Sequence, residues 1–90
     1  MIFIGDKHYI DLVLNGNHAA YRFLVDRYKK MVFSICLRIL PNTEDAEDAS
    51  QESFLRAFQQ LNTYEGKSKF STWLYTITYR ISVSNSKKIA

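Results

Sequence analysis

"KFSTWLYTITYRIS" (residues 69–82) decides the fold, because two periodicities compete in it. Its Thr, Ser, Ile and Tyr residues suit a pleated strand better than a helix. Ile77, Tyr79, Ile81 and Val83 alternate with Thr78, Arg80, Ser82 and Ser84, as side chains of a strand do. Phe70, Trp73, Leu74, Ile77, Ile81 and Ser84 fall instead on one face of a helix. Local propensity leans slightly toward the strand. A solitary strand, however, leaves its backbone donors and acceptors without a ladder, and nothing else in the chain offers a pairing edge. Neighbouring helices would also lack a complementary stripe to cover. Packing therefore outweighs propensity, and the stretch is expected to be a helix over 70–86.

The flanking sequence supports a helical neighbourhood. "NTYEGKSK" (62–69) is polar, contains Gly66 and reads as a loop, with Ser68 or Ser71 available to cap the helix that follows. "NTEDAEDASQESFLRAFQQL" (42–61) reads as a helix over 43–61, capped by Asn42 or Thr43, with acids in its first turn to complement the positive terminus. Its inner face is Ala46, Ala49, Ser53 or Phe54, Ala57 or Phe58, and Leu61. Before it, Pro41 stops a long helix over 17–40 that Asn17 can cap. In that helix Ala20, Leu24, Tyr28, Met31, Ile35 and Ile39 recur at threes and fours, while Arg22, Asp26, Arg27, Lys29, Lys30 and Arg38 fall mostly off the stripe. Asp6 is placed to cap a short first helix through Leu14, which "NGN" (15–17) ends. The expected fold class is all-α: a compact bundle of a short N-terminal helix and three longer ones, over 6–14, 17–40, 43–61 and 70–86.

The totals agree. Ninety residues with 47% hydrophobic content hold one core, so residues 1–90 are expected to be a single domain. No apolar run reaches the roughly 20 residues of a membrane span, and "MIFIG" is too short for a signal-peptide core, which points to the cytoplasm and away from membranes. Cys36, the single cysteine, has no partner for an internal disulfide and sits between Ile35 and Leu37 as core filler. His8 and His18 are remote from it, no spacing of His, Cys and acid resembles a metal site, and no phosphate-binding Gly pattern is present. Asp45, Asp48 and Glu52 share a helical face, for which solvation is the simpler role than cation binding. Neither enzymatic activity nor a cofactor is expected.

Charge is distributed more sharply than the net +3 suggests. Residues 44–56 carry Glu44, Asp45, Glu47, Asp48 and Glu52 against Arg56 alone, whereas residues 67–88 carry Lys67, Lys69, Arg80, Lys87 and Lys88 with no acid. Two opposite blocks on so small a chain suggest two partners, one of them nucleic acid. As a helix, the opening stretch turns Thr72, Tyr75, Thr76, Tyr79, Arg80 and Val83 away from the core. Rings and hydroxyls suit a surface that stacks on bases and bonds phosphates; equally, they suit a two-sided helix covered by something outside this chain. The loop at Tyr64, Glu65, Gly66, Lys67, Ser68 and Lys69 is either a plain connection or a place where backbone groups and a ring hold a displaced nucleotide.

"DAEDASQESFLRAF" (45–58) followed by "KFSTWLYTIT" (69–78) resembles region 2 of bacterial RNA polymerase sigma factors of the sigma-70 family, particularly the extracytoplasmic-function (ECF) type. That type typically reads "DAEDLVQETFLRAW", a loop with "F-x-G", then "F-x-TWLYRIA". The counterparts here are Asp45, Ala46, Glu47, Asp48, Gln51, Glu52, Phe54, Leu55, Arg56 and Ala57, then Tyr64 and Gly66, then Phe70, Thr72, Trp73, Leu74, Tyr75 and Ile77. The likeness spans about residues 17–88 and implies an all-helical domain.

It also implies both partners. Asp48, Gln51, Glu52 and Leu55, with Arg56 beside them, match positions that dock on the clamp helices of the largest subunit of core RNA polymerase. Tyr64, Gly66, Lys67, Ser68, Lys69, Ser71, Thr72, Tyr75, Thr76, Tyr79, Arg80 and Val83 fall where the family binds the promoter −10 element and holds its non-template strand. An anti-sigma protein that covers this surface is implied as well. Thr76 replaces the usual Arg of "WLYRIA", and Arg80 stands where an Asn commonly follows, so cationic charge is moved one turn along. A complete ECF factor continues through a linker to a helix-turn-helix domain reading the −35 element; with "SKKIA" at its end, this sequence is expected to be an isolated domain or a fragment. The alternative is a helical protein-interaction adaptor whose Tyr/Thr face binds a partner helix.

Overall fold

A computed structural model describes residues 2–88. Four helices form: α1 (Asp6–Leu14), α2 (Tyr21–Ile39), α3 (Thr43–Gln59) and α4 (Phe70–Lys88), with 3-10 turns at His18–Ala20 and Leu61–Thr63. No strand occurs among the described residues, so the contested stretch is helical throughout. α2, α3 and α4 pack on one another pairwise, and α1 lies against α2.

The boundaries follow from local chemistry. Asn42 Oδ1 accepts the backbone N–H of Glu44 at 2.9 Å and of Asp45 at 3.2 Å, so Asn42 and not Thr43 is the α3 cap. α1 closes with Asn17 N–H on the Leu12 carbonyl (2.9 Å) and Gly16 N–H on Val13 (3.0 Å), a Schellman arrangement that puts Gly16 at φ 101°, where a side chain would be strained. Leu40 leaves the helical region (φ −120°, ψ 89°) ahead of Pro41, whose ring disfavours a helical residue before it.

Three expected caps are corrected. Gly5, not Asp6, precedes α1; the Asp6 carboxylate is drawn away by Arg27 and Tyr28, whose cation and hydroxyl bind it better than exposed backbone would. Asn17 makes no side-chain cap bond, because a 3-10 turn intervenes and α2 begins at Tyr21. At α4 the Lys69 carbonyl receives Thr72 N–H (3.0 Å) and Trp73 N–H (3.1 Å), so Lys69 holds the cap position and neither Ser68 nor Ser71 does.

The core is where the helices meet. Leu24, Val32, Ile35 and Cys36 of α2 are buried, as is Leu40 just past its end, so the buried strip is wider than the 20/24/28/31/35/39 stripe, and Tyr28, Met31 and Ile39 lie at its half-buried edge. α3 contributes Ala46, Ala49, Ser53 and Ala57, each at 0% exposure, while Phe54 and Phe58 are half-buried. Small side chains let helix axes approach closely, and Leu61 is then tucked in by the 3-10 turn after α3. α4 buries Phe70, Leu74, Ile77 and Ile81 as expected, and also Thr78 and Ser82. Ser84, assigned inward by the periodicity, is exposed. A helix wedged between two others buries a broad strip, and hydroxyls enter it when they find partners: Thr78 Oγ1 donates to the Leu74 carbonyl (2.9 Å), Ser53 Oγ to Ala49 (2.6 Å) and Ser82 Oγ to Cys36 Sγ (3.4 Å).

This packing sets opposite sensitivities for two small residues. Ala49→Leu is expected to lower stability by about 1–3 kcal/mol through overpacking, and Ser84→Ala to change it by less than about 0.5 kcal/mol, both read from denaturant unfolding midpoints.

Candidate functional site

The inward anchors of α4 fix what faces out. Thr72, Tyr75, Thr76, Tyr79 and Arg80 are exposed and Val83 is half-buried, forming one strip along the helix. Tyr75 and Tyr79 are 45% and 49% exposed, with ring centroids 6.3 Å apart and planes within 9° of parallel. Thr76 Oγ1 donates to the Thr72 carbonyl at 3.1 Å, which leaves its oxygen free to accept. Among the described residues Arg80 and Lys69 have no carboxylate within ion-pair reach, so both cations are available to an anion from outside.

The loop before α4 is shaped from within. Gly66 adopts φ 77°, and the Tyr64 hydroxyl donates to the Ser68 carbonyl across the turn. The Tyr64 ring meets Phe70 edge-on (5.8 Å, 85°) and tilts against Trp73 (5.3 Å), so it braces the loop and is only half-exposed. Burial, and then the Asp6 charge, raise its phenol pKa above the ordinary value. Lys67 pairs with Glu65 at 2.9 Å on an open surface, where such a pair exchanges readily for another anion. Ser68 and Lys69 are exposed and Ser71 is half-buried. Two concavities flank the loop: one of about 310 Å³ at Tyr64, Lys67, Ser68 and Trp73, and one of about 630 Å³ at Gly66, Lys69, Ser71, Tyr28, Asp6 and Asp11.

The larger concavity brings in α1, which the sequence reading leaves out of the site. Asp6 receives Arg27 Nη1 at 2.7 Å and the Tyr28 hydroxyl, Arg27 Nη2 bonds the Ile4 carbonyl at 2.7 Å, and the Tyr28 ring leans on Phe70 at 5.7 Å. The first turn of α1 is thereby tied through α2 to the start of α4. Burial first, then the Asp6 hydrogen bond and charge, push the Tyr28 phenol up to about 12. Tyr21, whose hydroxyl donates to the Phe54 carbonyl at 2.7 Å, is raised further by burial.

The acidic helix forms a separate face. Asp48, Gln51, Leu55 and Arg56 are exposed, Leu55 at 57%, and Glu52 is half-buried. Glu52 is oriented by Asn85 Nδ2 at 3.2 Å and by Arg56 at 3.7 Å. Gln51 borders a groove of about 440 Å³ whose other wall is Val25, Lys29, Lys30 and Phe33 of α2, with Phe54 at its floor. The sequence does carry a signal for that wall: Val25 and Phe33 are apolar, two turns apart and off the buried stripe. Asp45, Asp48 and Glu52 assemble no metal-binding group among the described residues, and no described helix is long and apolar enough to cross a membrane.

Residues 24–87 match the family model described as Sigma-70 region 2. The chain is 37% identical over 82 residues to the ECF RNA polymerase sigma factor SigW of Bacillus subtilis, covering 91% of this chain and 44% of that protein. It is 38% identical over 84 residues to the ECF RNA polymerase sigma-E factor of Salmonella typhimurium, covering 93% of this chain and 41% of the relative. Thus the chain spans less than half the length of these curated relatives. An engineered region 2 of sigmaE, solved by NMR in complex with GTAAAA, superposes with a TM-score of 0.76 at 35% identity, covering 96% of this chain and 85% of that one.

The tie between α1 and α2 has a pH signature. Because the folded-state pKa of Tyr28 lies above the 10.0 of an unperturbed phenol, its contribution to stability is full below pH 10.0 and is lost as pH rises toward about 12. Tyr28→Phe is expected to make the alkaline fall in unfolding midpoint shallower without abolishing it, since Tyr21 and Tyr64 shift in the same direction.

Proposed function

This chain belongs to the sigma-70 region 2 family, of the ECF type, and we propose that it is a promoter-recognition domain that works by binding alone, without catalysis, in the cytoplasm. In this proposal residues 1–90 act as one unit. The exposed side of α3, through Asp48, Gln51, Glu52, Leu55 and Arg56, docks on the clamp helices of core RNA polymerase. Carboxylates and an amide suit Arg-rich helices, where bidentate pairing supplies orientation as well as attraction. The groove beside Gln51 gives that contact an apolar lining in Val25, Phe33 and Phe54.

The strip along α4 and the loop at 64–69 then take the −10 element and its non-template strand. Lys69 and Arg80 neutralise phosphates and release counterions, Ser71 and the threonines bond the backbone or base edges, and the tyrosines stack on unpaired bases. A protein that binds the open strand better than the closed duplex favours opening without ATP. Extruding a base costs a few kcal/mol, and stacking worth roughly 1–3 kcal/mol per base offsets much of it. GTAAAA, the ligand of the sigmaE region 2, is the natural first probe. Both surfaces are open here, so an anti-sigma protein that covers either would silence the domain.

One observation carries this proposal: an acid-free, ring-and-hydroxyl strip runs on from the loop along α4, while the acids collect on α3. The alternative, an adaptor whose Tyr/Thr face holds a partner helix, lacks an account of the unpaired Arg80 and Lys69, and its affinity would hardly respond to salt. Affinity carried by several phosphates falls steeply with salt.

The two surfaces should be separable. Glu52→Lys is expected to weaken binding to core RNA polymerase on the order of tenfold, about 1.4 kcal/mol, with single-stranded GTAAAA affinity no lower. Arg80→Ala should do the reverse and flatten the salt dependence of DNA binding. Coincident loss of both activities in either variant, or of neither, contradicts the proposal.

A further inference from the structure

The last turn of α4 lies beside the acidic face of α3, and one side chain crosses between them. Asn85 Nδ2 donates to Glu52 Oε1 at 3.2 Å, the only side-chain hydrogen bond that joins α3 to α4 among the described residues. Glu52 Oε2 faces Arg56 Nη2 at 3.7 Å, so each oxygen of the carboxylate is held by a different partner. Asn85 also borders a cleft of about 250 Å³ with Asp45, Asp48 and Lys88, and so lies near Asp48 as well as Glu52.

Asparagine is a poor choice within a helix, where alanine or leucine would hold the backbone better. Position 85 is half-buried, three and four residues beyond the buried Ser82 and Ile81, and an apolar side chain would suit it. What the amide adds is a donor aimed at a carboxylate. Its Nδ2 end must face Glu52, since the amide oxygen would meet only a second acceptor there. A hydrogen bond to an ionised group is also stronger than one between neutral groups. The bond falls on the side of α4 turned from the ring-and-hydroxyl strip: at about 3.6 residues per turn, Asn85 lies about 140° round the helix from Arg80.

Granting the polymerase contact proposed above, we infer that Asn85 is a positioning residue for core RNA polymerase: it holds the Glu52 carboxylate in its docking orientation without touching the polymerase itself. A free glutamate side chain samples many rotamers and loses that freedom when a partner seizes it. Braced by Asn85 and Arg56, Glu52 has less ordering left to lose. A carboxylate offers about four lone-pair sites, and these two partners engage one oxygen each. With 41% of its side chain exposed, Glu52 keeps the remaining sites open to a guanidinium from a clamp helix. α4 thus serves the polymerase contact with one side and nucleic acid with the other.

The test measures binding of the whole, fluorescently labelled chain to core RNA polymerase and to single-stranded GTAAAA. Asn85→Ala is expected to weaken polymerase binding about 2- to 12-fold, the ordering cost of one freed side chain, and to leave GTAAAA affinity unchanged. Asn85→Leu, similar in volume but without a donor, should behave as Asn85→Ala does, while Asn85→Gln, which keeps the donor, should recover most of the loss. The decisive comparison is made in a Glu52→Ala background, where replacing Asn85 should weaken binding no further, because the group it positions is gone. If Glu52→Ala weakens polymerase binding and Asn85→Ala does not, or if Asn85→Ala has the same effect with Glu52 absent as with it present, the positioning role is overturned while the polymerase surface stands. Asn85→Gln as weak as Asn85→Ala, or a parallel loss of GTAAAA binding, overturns it equally. If Glu52→Ala binds the polymerase as wild type does, the proposed polymerase surface itself fails and the positioning role with it.

Discussion

Burial of Leu74, Ile77 and Ile81 against α2 and α3 is the constraint from which the rest follows. α4 has weak intrinsic reasons to be a helix: its threonines, isoleucines and tyrosines lose side-chain freedom there. What holds it is the apolar area that those residues remove from water, roughly 1.5–3 kcal/mol for each large side chain. Once they are fixed inward, the helical period leaves no choice about the outside. Tyr75, Thr76, Tyr79 and Arg80 must share the exposed side, in one rotational phase and at fixed axial steps. A strand would have dealt those same residues alternately to two faces.

The neighbours are built to accept that wedge. Ala46, Ala49, Ser53 and Ala57 present almost nothing but backbone and methyl groups, so α3 can approach closely, and the price of tight contact is that few apolar atoms remain to fill the space. Hydroxyls fill it instead. Thr78, Ser53 and Ser82 are fully buried, yet each has a partner. Two bond to the carbonyl one turn back and one reaches the Cys36 thiol, which explains why a lone cysteine suits this position better than a larger side chain would.

These same hydroxyls mark where the sequence is hard to read. The Pro41 break, a cap at Asn42 or Thr43 and the anchors Phe70, Leu74, Ile77 and Ile81 are legible from one local rule or one periodicity, whereas the helix over 70–86 needs packing to be weighed against propensity. Thr78 and Ser82 against Ser84 is not legible: polarity alone makes the three alike, and the placing of α4 against both α2 and α3 decides which two are enclosed. Asp6 misleads for a related reason. At a helix start an aspartate caps by default, and the competing offer from Arg27 and Tyr28 comes from more than twenty residues away in sequence. Within the candidate site, the residues given by motif and charge all lie on the strip, the loop or the exposed side of α3. Tyr64 occupies its expected place in the loop but braces it from beneath, a distinction that depends on the positions of Phe70 and Trp73.

That bracing links α1 to the loop before α4. Asp6 holds Tyr28, Tyr28 leans on Phe70, Phe70 contacts Tyr64 and Trp73, and Tyr64 ties the loop through Ser68. A short glycine-containing loop would otherwise sample many conformations and lose that entropy on binding a strand. Rings packed against one another, one pair edge-on and the rest tilted, cannot rotate independently, so the loop is held near one shape before any ligand arrives. Preorganisation of this kind raises affinity by reducing the ordering left to be done. It also gives α1, which carries few of the residues that recognition chemistry would select, a physical reason to be part of the same unit: without the Asp6 carboxylate the chain of rings has no fixed end.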